Sequence, residues 1–502
     1  MFRSYALVLL LTLSWTVLSA NDIQILNLSV DPVPGQASRA TLTFDLSWQH
    51  AWRTAVGPAN WDAAWVFAKY RTGPGQPWQH VILHDEARPT TGATIEVYDH
   101  RGAMVYSTLP LAGPARFTGT GLVWDLAANG LTSIAGVEVR VYGLEMVYIP
   151  KGAFYLGSAT GGTETDRFYG GGSPGQTPPY RVADSGAIRI GTEAGMLTYT
   201  DDGQRGSDIQ GPVPAAFPSG YDAFYLMKYE VSQQQYVDFV NTLTYEQKLL
   251  YDITNREGKN TDRYDRRNCV SWNDAADGDA FTTAPHIPIG YVSTRDMFGY
   301  FDWAALRPMS EMEFEKACRG PEAPVAEEYA WGTPKIVDKS LAPANLNAAD
   351  EQIVLAEVPD PETGYAAYKR STTQTSYGKG PYRCGIFSAA QALPSRTGSG
   401  AGYYGNMELS GNQWEGVVTI THADGLAFTN THGDGALGPD GTADVATWPT
   451  TTDGIGIRGG RSDNDAVYLR VADRSYVTVT GSTRKSRYYW LQYRGARGLS
   501  SK

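Results

Sequence analysis

Two stretches of the sequence carry complete start signals for a helix, whereas the last third carries few helical patterns. Ser232 is followed by Gln235 in EVSQQQYVDFVN, and Ser310 by Glu313 in RPMSEMEFEKACRG. Such capping boxes satisfy the free amide groups of a first helical turn, and apolar residues then recur at helical spacing. From about Gly320 onwards Gly, Asn, Asp, Ser and Thr dominate. Long irregular connections of this kind need an organiser, such as a bound ion or a functional surface.

The chain before this region has the alternation of strands. Apolar and polar residues alternate in residues 40–48, 65–70, 93–98 and 137–142, with Gly and Pro between the runs. This pattern predicts an antiparallel β-sandwich over residues 21–143. Its tryptophans serve either as core or as a carbohydrate-binding surface, and core is the commoner role on a small sandwich. They are Trp48, Trp52, Trp61, Trp65, Trp78 and Trp124.

The first twenty residues have the composition of a secretory signal peptide. A charged start at Arg3 precedes an apolar run over residues 5–18, and small residues follow at Ser19 and Ala20. The run is shorter than the roughly 20 apolar residues that span a bilayer, and no later stretch is long and apolar enough to do so. The sequence therefore predicts a signal peptide at 1–20 and a secreted or cell-surface protein, periplasmic or extracellular.

Length and charge narrow the class of protein further. A chain of 502 residues exceeds the roughly 250–300 residues that one core serves, which indicates two domains. The formal net charge of -11 disfavours nucleic acid as a partner, because nucleic-acid binding depends on Lys and Arg. The three cysteines, Cys269, Cys318 and Cys384, allow one disulfide at most. Cys318 falls on the second predicted helix, where a buried apolar role is the default.

A series of sequence blocks then carries a family resemblance. The blocks are MVYIPKGAFYLGS from Met146, FYLMKYEVSQQQYVDFVN from Phe224, RPMSEMEFEKACRG from Arg307, YAWG from Tyr329, ANLN from Ala344, YGNMELSGNQWEG from Tyr404 and RGGRSDNDAVYLRVADRS from Arg458. In this order they resemble the formylglycine-generating (sulfatase-modifying factor) family over residues 144–502. The resemblance implies an α+β fold related to C-type lectins, with little regular secondary structure. Residues near 159–220 and 321–382 exceed the compact family pattern and are interpreted as surface insertions.

The catalytic chemistry of this family does not transfer to the chain. Its enzymes oxidise a sulfatase cysteine to formylglycine with oxygen, using a thiolate pair after a Gly-Gly step to hold copper(I), an ion that soft thiolates suit. Here the matching segment starts at Gly459 and Gly460, and no cysteine follows Cys384. No copper is therefore expected, and enzymatic activity is left uncertain. Histidines offer no clear substitute: His80 and His84 share a strand-like region.

One further histidine has a predicted role. His432 lies in the Gly-flanked segment THGDGAL and is interpreted as a satisfied surface residue, with substrate contact as the alternative.

The resemblance also implies structural calcium. The matching ligands are the side chains of Glu408 and Glu415 with the carbonyls of Gly411 and Gln413, and a second site would use Asn345 and the carbonyl of Leu346. Oxygen-only ligands suit calcium. The alternative for Glu415 is a buried carboxylate that interacts with a helix or pairs with an arginine.

The C-terminal segment supplies a predicted ligand-binding face. Its candidate residues are Tyr468, Tyr476, Arg484, Arg487, Tyr488, Tyr489, Trp490 and Tyr493. Aromatic residues with Arg, Ser and Thr between them form adaptable binding surfaces, although the YYW run would equally pack a strand edge.

Three functions follow from these observations. The first is a non-catalytic, lectin-like module that binds a protein or glycan. Related lectin-like domains serve as variable receptors. The second is an active sulfatase-modifying or related metal-dependent oxidase. The third is a structural subunit of an extracellular assembly or a homo-oligomer.

Overall fold

The fold is a mixed α+β one in which strands predominate, as the sequence predicts. The structure is a computed structural model that describes residues 22–172, 176–199, 211–272, 278–338, 341–348, 350–355, 360–369, 380–391, 395–477 and 485–499. The predicted signal peptide at 1–20 and Arg484 lie outside the described residues, as do parts of the two predicted insertions. No helix in the described ranges is both long and apolar enough to cross a membrane.

The strands fall into a long-stranded N-terminal set and a short-stranded C-terminal set. The first set is β1 (Gln24–Val33), β2 (Gln36–Arg53), β3 (Asp62–Arg71), β4 (Gln79–His80), β5 (Leu83–Arg88), β6 (Ala93–Tyr98), β7 (Gly102–Ser107), β8 (Leu111–Asp125) and β9 (Glu138–Ile149). The second set is β10 (Phe154–Leu156), β11 (Phe168–Gly170), β12 (Tyr180–Val182), β13 (Leu197–Tyr199), β14 (Phe224–Met227), β15 (Val270–Ser271), β16 (Phe281–Thr282), β17 (Arg307–Pro308), β18 (Trp414–Val418), β19 (Ile455–Arg458), β20 (Leu491–Tyr493) and β21 (Gly495–Gly498).

The helices are short, and six of the seven described α-helices begin at a side-chain cap, α5 being the exception. They are α1 (Gln233–Val240), α2 (Tyr245–Tyr251), α3 (Thr294–Trp303), α4 (Glu311–Arg319), α5 (Ile386–Ala389), α6 (Arg396–Ser399) and α7 (Ala423–Leu426), with a 3-10 turn at Ala466–Leu469. The capping boxes at Ser232 and Ser310 form as predicted. Two further boxes, at Thr244 with Gln247 and at Ser293 with Asp296, begin helices that the sequence analysis did not identify.

The N-terminal strands form two packed sheets. A four-stranded sheet has the order β1-β2-β8-β5, and an eight-stranded sheet has the path β17-β21-β14-β9-β3-β7-β6 with β4 paired to β3. The core between them holds Trp48 and Trp124 from the first sheet and Val66 and Tyr70 from the second. Trp48, Trp65 and Trp124 are thus core residues, which confirms for these three the commoner of the two roles that the sequence left open.

The eight-stranded sheet runs through both predicted domains. Strand β9 crosses position 143, where the sequence analysis divides the chain, and pairs with β3 on one side and β14 on the other. Strand β3 is buried on both faces: Val66 points to the sandwich core, whereas Trp65 and Phe67 point to the helices. The Trp65 indole donates to the carbonyl of Ala304, just after α3, at 2.8 Å. The sandwich and the C-terminal region therefore share one sheet.

The C-terminal region is built from small sheets and loops around the two fully buried helices, α3 and α4. Helix α4 is fully buried and ends at Gly320, whose φ of 68° lies in the left-handed range that glycine favours. Cys318 on this helix is fully buried beside Phe314, as predicted. A three-stranded sheet of order β19-β18-β20 is formed by strands from the last part of the sequence, and its β18–β20 pair is parallel. This small sheet positions the candidate site.

Candidate functional site

The C-terminal segment reaches the small sheet through a turn that presents aromatic residues. Tyr488 forms an isolated bridge to Val292, and Trp414 donates its backbone amide to the carbonyl of Trp490 at 3.1 Å. The chain then enters β20 beside β18. In this turn the rings of Tyr488 and Trp490 stack with centroids 4.6 Å apart, while Tyr489 contacts other partners. All three rings are partly exposed.

We call this region the aromatic–arginine surface. It comprises Tyr468, Tyr476, Tyr488, Tyr489 and Trp490, together with Arg266 and Arg461. Its aromatic members are partly exposed, and Tyr476 is the most open at 37%.

The ring of Tyr489 is the centre of this surface. The guanidinium carbon of Arg266 lies 3.9 Å from its centroid and that of Arg461 lies 5.4 Å away. Its hydroxyl donates to Oδ2 of Asp463 at 3.4 Å, and the other oxygen of Asp463 accepts from Arg461. Tyr291 packs beside the ring at 6.2 Å. Stacked arginine side chains hold aromatic rings in place while leaving them partly in water.

A second aromatic group adjoins the first across β18. Trp414, which is buried, meets the ring of Tyr476 at 5.2 Å and that of Tyr468 at 6.1 Å, both edge-on. Tyr468 and Tyr476 lie 6.0 Å apart. Burial and the negative charge around Tyr468 help to raise the pKa of its hydroxyl, with Tyr476 as the largest cause. The two groups together give one face with several rings that a ligand can reach.

Two of the predicted ligand-binding residues do not belong to this face. Tyr493 is fully buried in the core, where its hydroxyl bonds Thr294 at 2.7 Å. Arg487 has a fully buried side chain that binds Asp296 at 2.7 Å, and Asp296 is the carboxylate that caps α3. Tyr493 is buried because β20 is covered on both of its sides, and Arg487 is buried because its guanidinium pairs with Asp296 and donates to the carbonyl of Asp252.

The segment that holds copper in formylglycine-generating enzymes contains no thiol here. Gly459 and Gly460 have φ of 85° and 71°, and a Cβ at Gly459 would lie 2.7 Å from the carbonyl oxygen of Leu409. The turn that follows is closed by Asn464, whose Oδ1 accepts from the amide of Arg461 at 3.0 Å. Glycine is therefore needed at the start of this turn. The residues that follow carry arginine, aspartate and asparagine side chains rather than thiols.

The cysteines lie apart from this segment and from one another. Cys318, Cys384 and Cys269 are buried, unpaired and located in three different hydrophobic clusters. Burial raises the pKa of all three thiols. A raised pKa disfavours the thiolate form that binds copper(I), and the three thiols lie in separate clusters.

A buried acid cluster lies below the aromatic–arginine surface. It consists of Glu230, Glu408 and Glu415, which interact electrostatically with one another and with Arg494. Nε of Arg494 donates to Oε1 of Glu415 at 2.8 Å, and the amide of Gly385 donates to Oε1 of Glu408 at 2.8 Å. Burial raises the pKa of Glu408 to about 7 and raises those of the other two glutamates.

Each acid of the cluster keeps one carboxylate oxygen without a hydrogen-bond partner among the described residues. These are Oε1 of Glu230 and the Oε2 atoms of Glu408 and Glu415. Buried polar atoms are usually satisfied, and free carboxylate oxygens are the donors that calcium prefers. No group of three or more His, Cys, Asp or Glu side chains converges on one point in the described ranges, but the predicted set needs only two carboxylates because its other ligands are carbonyls. The donor chemistry of Glu408 and Glu415 therefore fits a calcium ion.

The other predicted ligands occupy different settings. Gly411 and Gln413 are buried, and Gly411 lies in a tight turn with φ of 93°. Asn345 and Leu346 are instead exposed in a surface turn, where the amide of Asn345 donates to Asp350 at 2.8 Å. For Glu415 the structure shows the arginine partner that the sequence analysis kept as an alternative.

The structure also shows the contacts of the histidines that the sequence analysis considered. His432 is satisfied but is not a surface residue, which corrects the prediction. Its side chain is 9% exposed, burial lowers its pKa to about 3, and Nε2 accepts from the amide of Gly498 at 2.9 Å. His80 contacts Lys69 at 2.9 Å while His84 contacts Arg39 at 2.6 Å, so the two rings serve separate partners.

This domain of short strands, capped helices and long structured loops has the architecture that the sequence resemblance implies, and comparison with known proteins agrees. The sequence profile of a family described as a sulfatase-modifying factor enzyme 1-like domain matches residues 138–486. The match covers well over half of the chain, which therefore belongs to this family. It begins at Glu138, the first residue of β9. No curated protein matches the chain.

Several residues of the site escaped sequence analysis. Arg266 and Arg461 bracket Tyr489 from distant parts of the chain, and Arg494 meets the acid cluster from the last strands. Glu230 carried a usable signal, because it is a lone carboxylate in the apolar stretch that precedes the capping box of α1. The long-range contacts of the arginines left no such local pattern.

Proposed function

We propose that the protein is an exported, non-catalytic binding module that recognises a protein or glycan through the aromatic–arginine surface. The observation that carries the proposal is the partly exposed Tyr489 ring, which both Arg266 and Arg461 approach, together with the Trp490 ring that Arg461 also contacts. Rigid aromatic and arginine side chains dominate binding energy at interfaces because they bury much area at a small entropic cost. A lectin-like use of the scaffold agrees with this placement.

The absence of catalysis is supported by the thiols. The segment after Gly460 contains no cysteine, and the three thiols of the chain are buried in separate clusters. A copper(I) site of the family type has no ligands here.

The charges of the surface indicate a ligand without strong net charge. Arg461 is paired with Asp463, and Asp265 lies against Tyr291 beside Arg266. Because these charges compensate locally, stacking and hydrogen bonding contribute more than long-range attraction. Sugar rings and protein loops both offer such contacts.

The test is a screen of glycan and surface-protein panels with matched variants. The binding variant is Arg461→Ala, Tyr489→Ala, Trp490→Ala, and the control is Tyr245→Ala, a 41% exposed tyrosine on α2. We expect a ligand that binds the wild type and the control but loses at least about tenfold affinity for the triple variant. Equal binding by all three folded proteins would move the function away from this surface and favour a structural subunit of an assembly.

We further propose that calcium occupies the free oxygens of Glu408 and Glu415 as a structural ion. The support is the pair of buried carboxylate oxygens without donors. Metal analysis of the purified protein tests this assignment. Calcium alone would support it, calcium with copper or iron would favour the oxidase alternative, and no metal would contradict it.

Export is tested by N-terminal sequencing of the mature protein, which should begin at Asn21.

A further inference from the structure

A cavity outside the aromatic–arginine surface lies between the first strand and the helices. It has a volume of about 220 Å³ and is walled by β1, β9, α1 and α3. Its principal lining residues are Ile25, Tyr142, Leu144, Asp238, Tyr300 and Trp303. A water takes about 30 Å³ in the liquid, so the space corresponds to a molecule of a few heavy atoms.

Asp238 is the charged group of this cavity. Its carboxylate accepts a hydrogen bond from Gln234 on the same helix at 2.8 Å, and burial raises its pKa to about 6. Among the described residues that line the cavity, Asp238 is the one acid, and none is lysine or arginine. Arg140 acts on it electrostatically, but the Arg140 guanidinium stacks 4.5 Å from the Trp78 ring. The lining also includes one histidine, His286, but the lysine or arginine that would normally pair with the carboxylate is not among the described lining residues.

Aromatic rings also line this cavity, and Nζ of Lys69 lies 5.0 Å from the centroid of one of them, Trp303. The ring of Trp303 meets that of Tyr142 at 5.0 Å and that of Tyr300 at 5.7 Å. Nε1 of Trp303 and the hydroxyl of Tyr300 are buried without a hydrogen-bond partner in the described part of the chain. An indole N–H can only donate, so an acceptor is missing beside Trp303. Tyr300 and Trp303 are 0% and 4% exposed.

We propose that this cavity binds a small organic ammonium compound that also carries an oxygen atom, such as an amino alcohol. The ammonium group would pair with Asp238 and lie against the aromatic rings, whose faces attract cations. The oxygen would accept from Trp303. Ile25 and Leu144 supply apolar lining beside these groups, and polar contacts are stronger where the surroundings are apolar. A cavity filled only by ordered water is the competing occupant.

Calorimetric titration of the full chain with choline tests the proposal. The matched probe is 3,3-dimethylbutan-1-ol, which has the same shape without the charge. We expect one choline per chain, and at least about tenfold weaker binding of the neutral alcohol. Asp238→Asn should weaken choline binding by at least about tenfold, whereas Asp453→Asn, at an exposed acid, should leave it unchanged. Trp303→Phe keeps a ring but removes the N–H and should cause a smaller loss.

Three results would overturn it. One is no heat of binding at millimolar choline, which is the outcome for a water-filled cavity. Another is equal affinity for choline and the alcohol. The third is unchanged affinity in a folded Asp238→Asn variant. Should that variant fail to fold, the comparison of the two probes on the wild type still decides.

Discussion

Arg494 and Glu415 form an ion pair of 2.8 Å in which both side chains are completely buried. The remaining nitrogens of Arg494 donate to the carbonyls of Lys228 and Met407. The guanidinium thus ties β18 to the strand that precedes α1 and to the loop of the acid cluster. It supplies a fixed positive charge next to the proposed calcium ligands.

Loss of this arginine should destabilise the chain strongly. We expect Arg494→Met to lower the unfolding free energy by about 3–5 kcal/mol, because it leaves a buried carboxylate without a partner. Urea unfolding followed by tryptophan fluorescence measures the change. The double variant Glu415→Leu, Arg494→Met should recover part of the loss, and a single-variant effect below about 1 kcal/mol would contradict the pairing.

Chelation should lower the melting temperature if Glu408 and Glu415 hold calcium. A ligand that binds only the native state adds about 2.7 kcal/mol at a hundredfold excess over its dissociation constant. Glu408→Gln is the sharper variant because the hydrogen-bonded ion pair of Arg494 is with Glu415, and the variant should remove most of the calcium-dependent shift. Glu246→Gln, on the solvent side of α2, serves as the control. Identical melting with and without chelator would reject the ion.

Formylglycine should not form on a sulfatase-type peptide. We expect that incubation with a Cys-x-Pro-x-Arg peptide, copper and a reductant leaves the peptide thiol intact, because no cysteine follows Cys384. Mass spectrometry detects the aldehyde product. A yield that depends on both protein and copper would restore the oxidase alternative.

The stability contributed by Asp302 should fall as the pH rises. Burial raises its pKa to about 7, although the amides of Asp434 and Asp444 donate to its oxygens at 3.1 Å. A raised native pKa gives its full contribution below the unfolded pKa of about 3.9 and loses it as the pH passes through the native value. The unfolding free energy of the wild type relative to Asp302→Asn should therefore decrease between about pH 4 and pH 7 and level off above that.

The control for this measurement is Asp453→Asn, at an exposed acid. A difference between wild type and Asp302→Asn that stays constant across this range would show that Asp302 is not the titrating group.

The shared sheet should make the chain melt as one unit. Strand β9 pairs with β3 and β14, and Trp65 bonds Ala304 across the junction. We expect a single calorimetric transition, with Trp65→Phe lowering stability by about 1–3 kcal/mol because a buried carbonyl loses its donor. Two separate transitions would show that the sandwich and the C-terminal region fold independently.

Local patterns in the sequence predicted local structure well. The capping boxes at Ser232 and Ser310 form, and the runs at 40–48, 65–70 and 93–98 lie in β2, β3 and β6. The same rule applied to Thr244 and Gln247 would have found α2. Such features depend on neighbours a few residues apart, which a sequence displays directly.

Features that depend on distant contacts were less accessible. Tyr488, Tyr489 and Trp490 lie in the turn before β20 and are all partly exposed, so the aromatic run suggested as a ligand-binding face is not wholly core. The alternation rule does not reveal that Tyr493 is core, because packing covers both sides of β20. Nor does it show that Arg266, more than two hundred positions before Tyr489, stacks on that ring. Burial on both faces and stacking between remote segments are set by the tertiary fold.

The three separate buried thiols give the chain an intrinsic reporter of its own opening. Because Cys269, Cys318 and Cys384 each sit in a different hydrophobic cluster, an alkylating reagent can reach each of them only when its own cluster opens. The order in which the three thiols are labelled therefore maps the sequence of local unfolding events without any introduced probe.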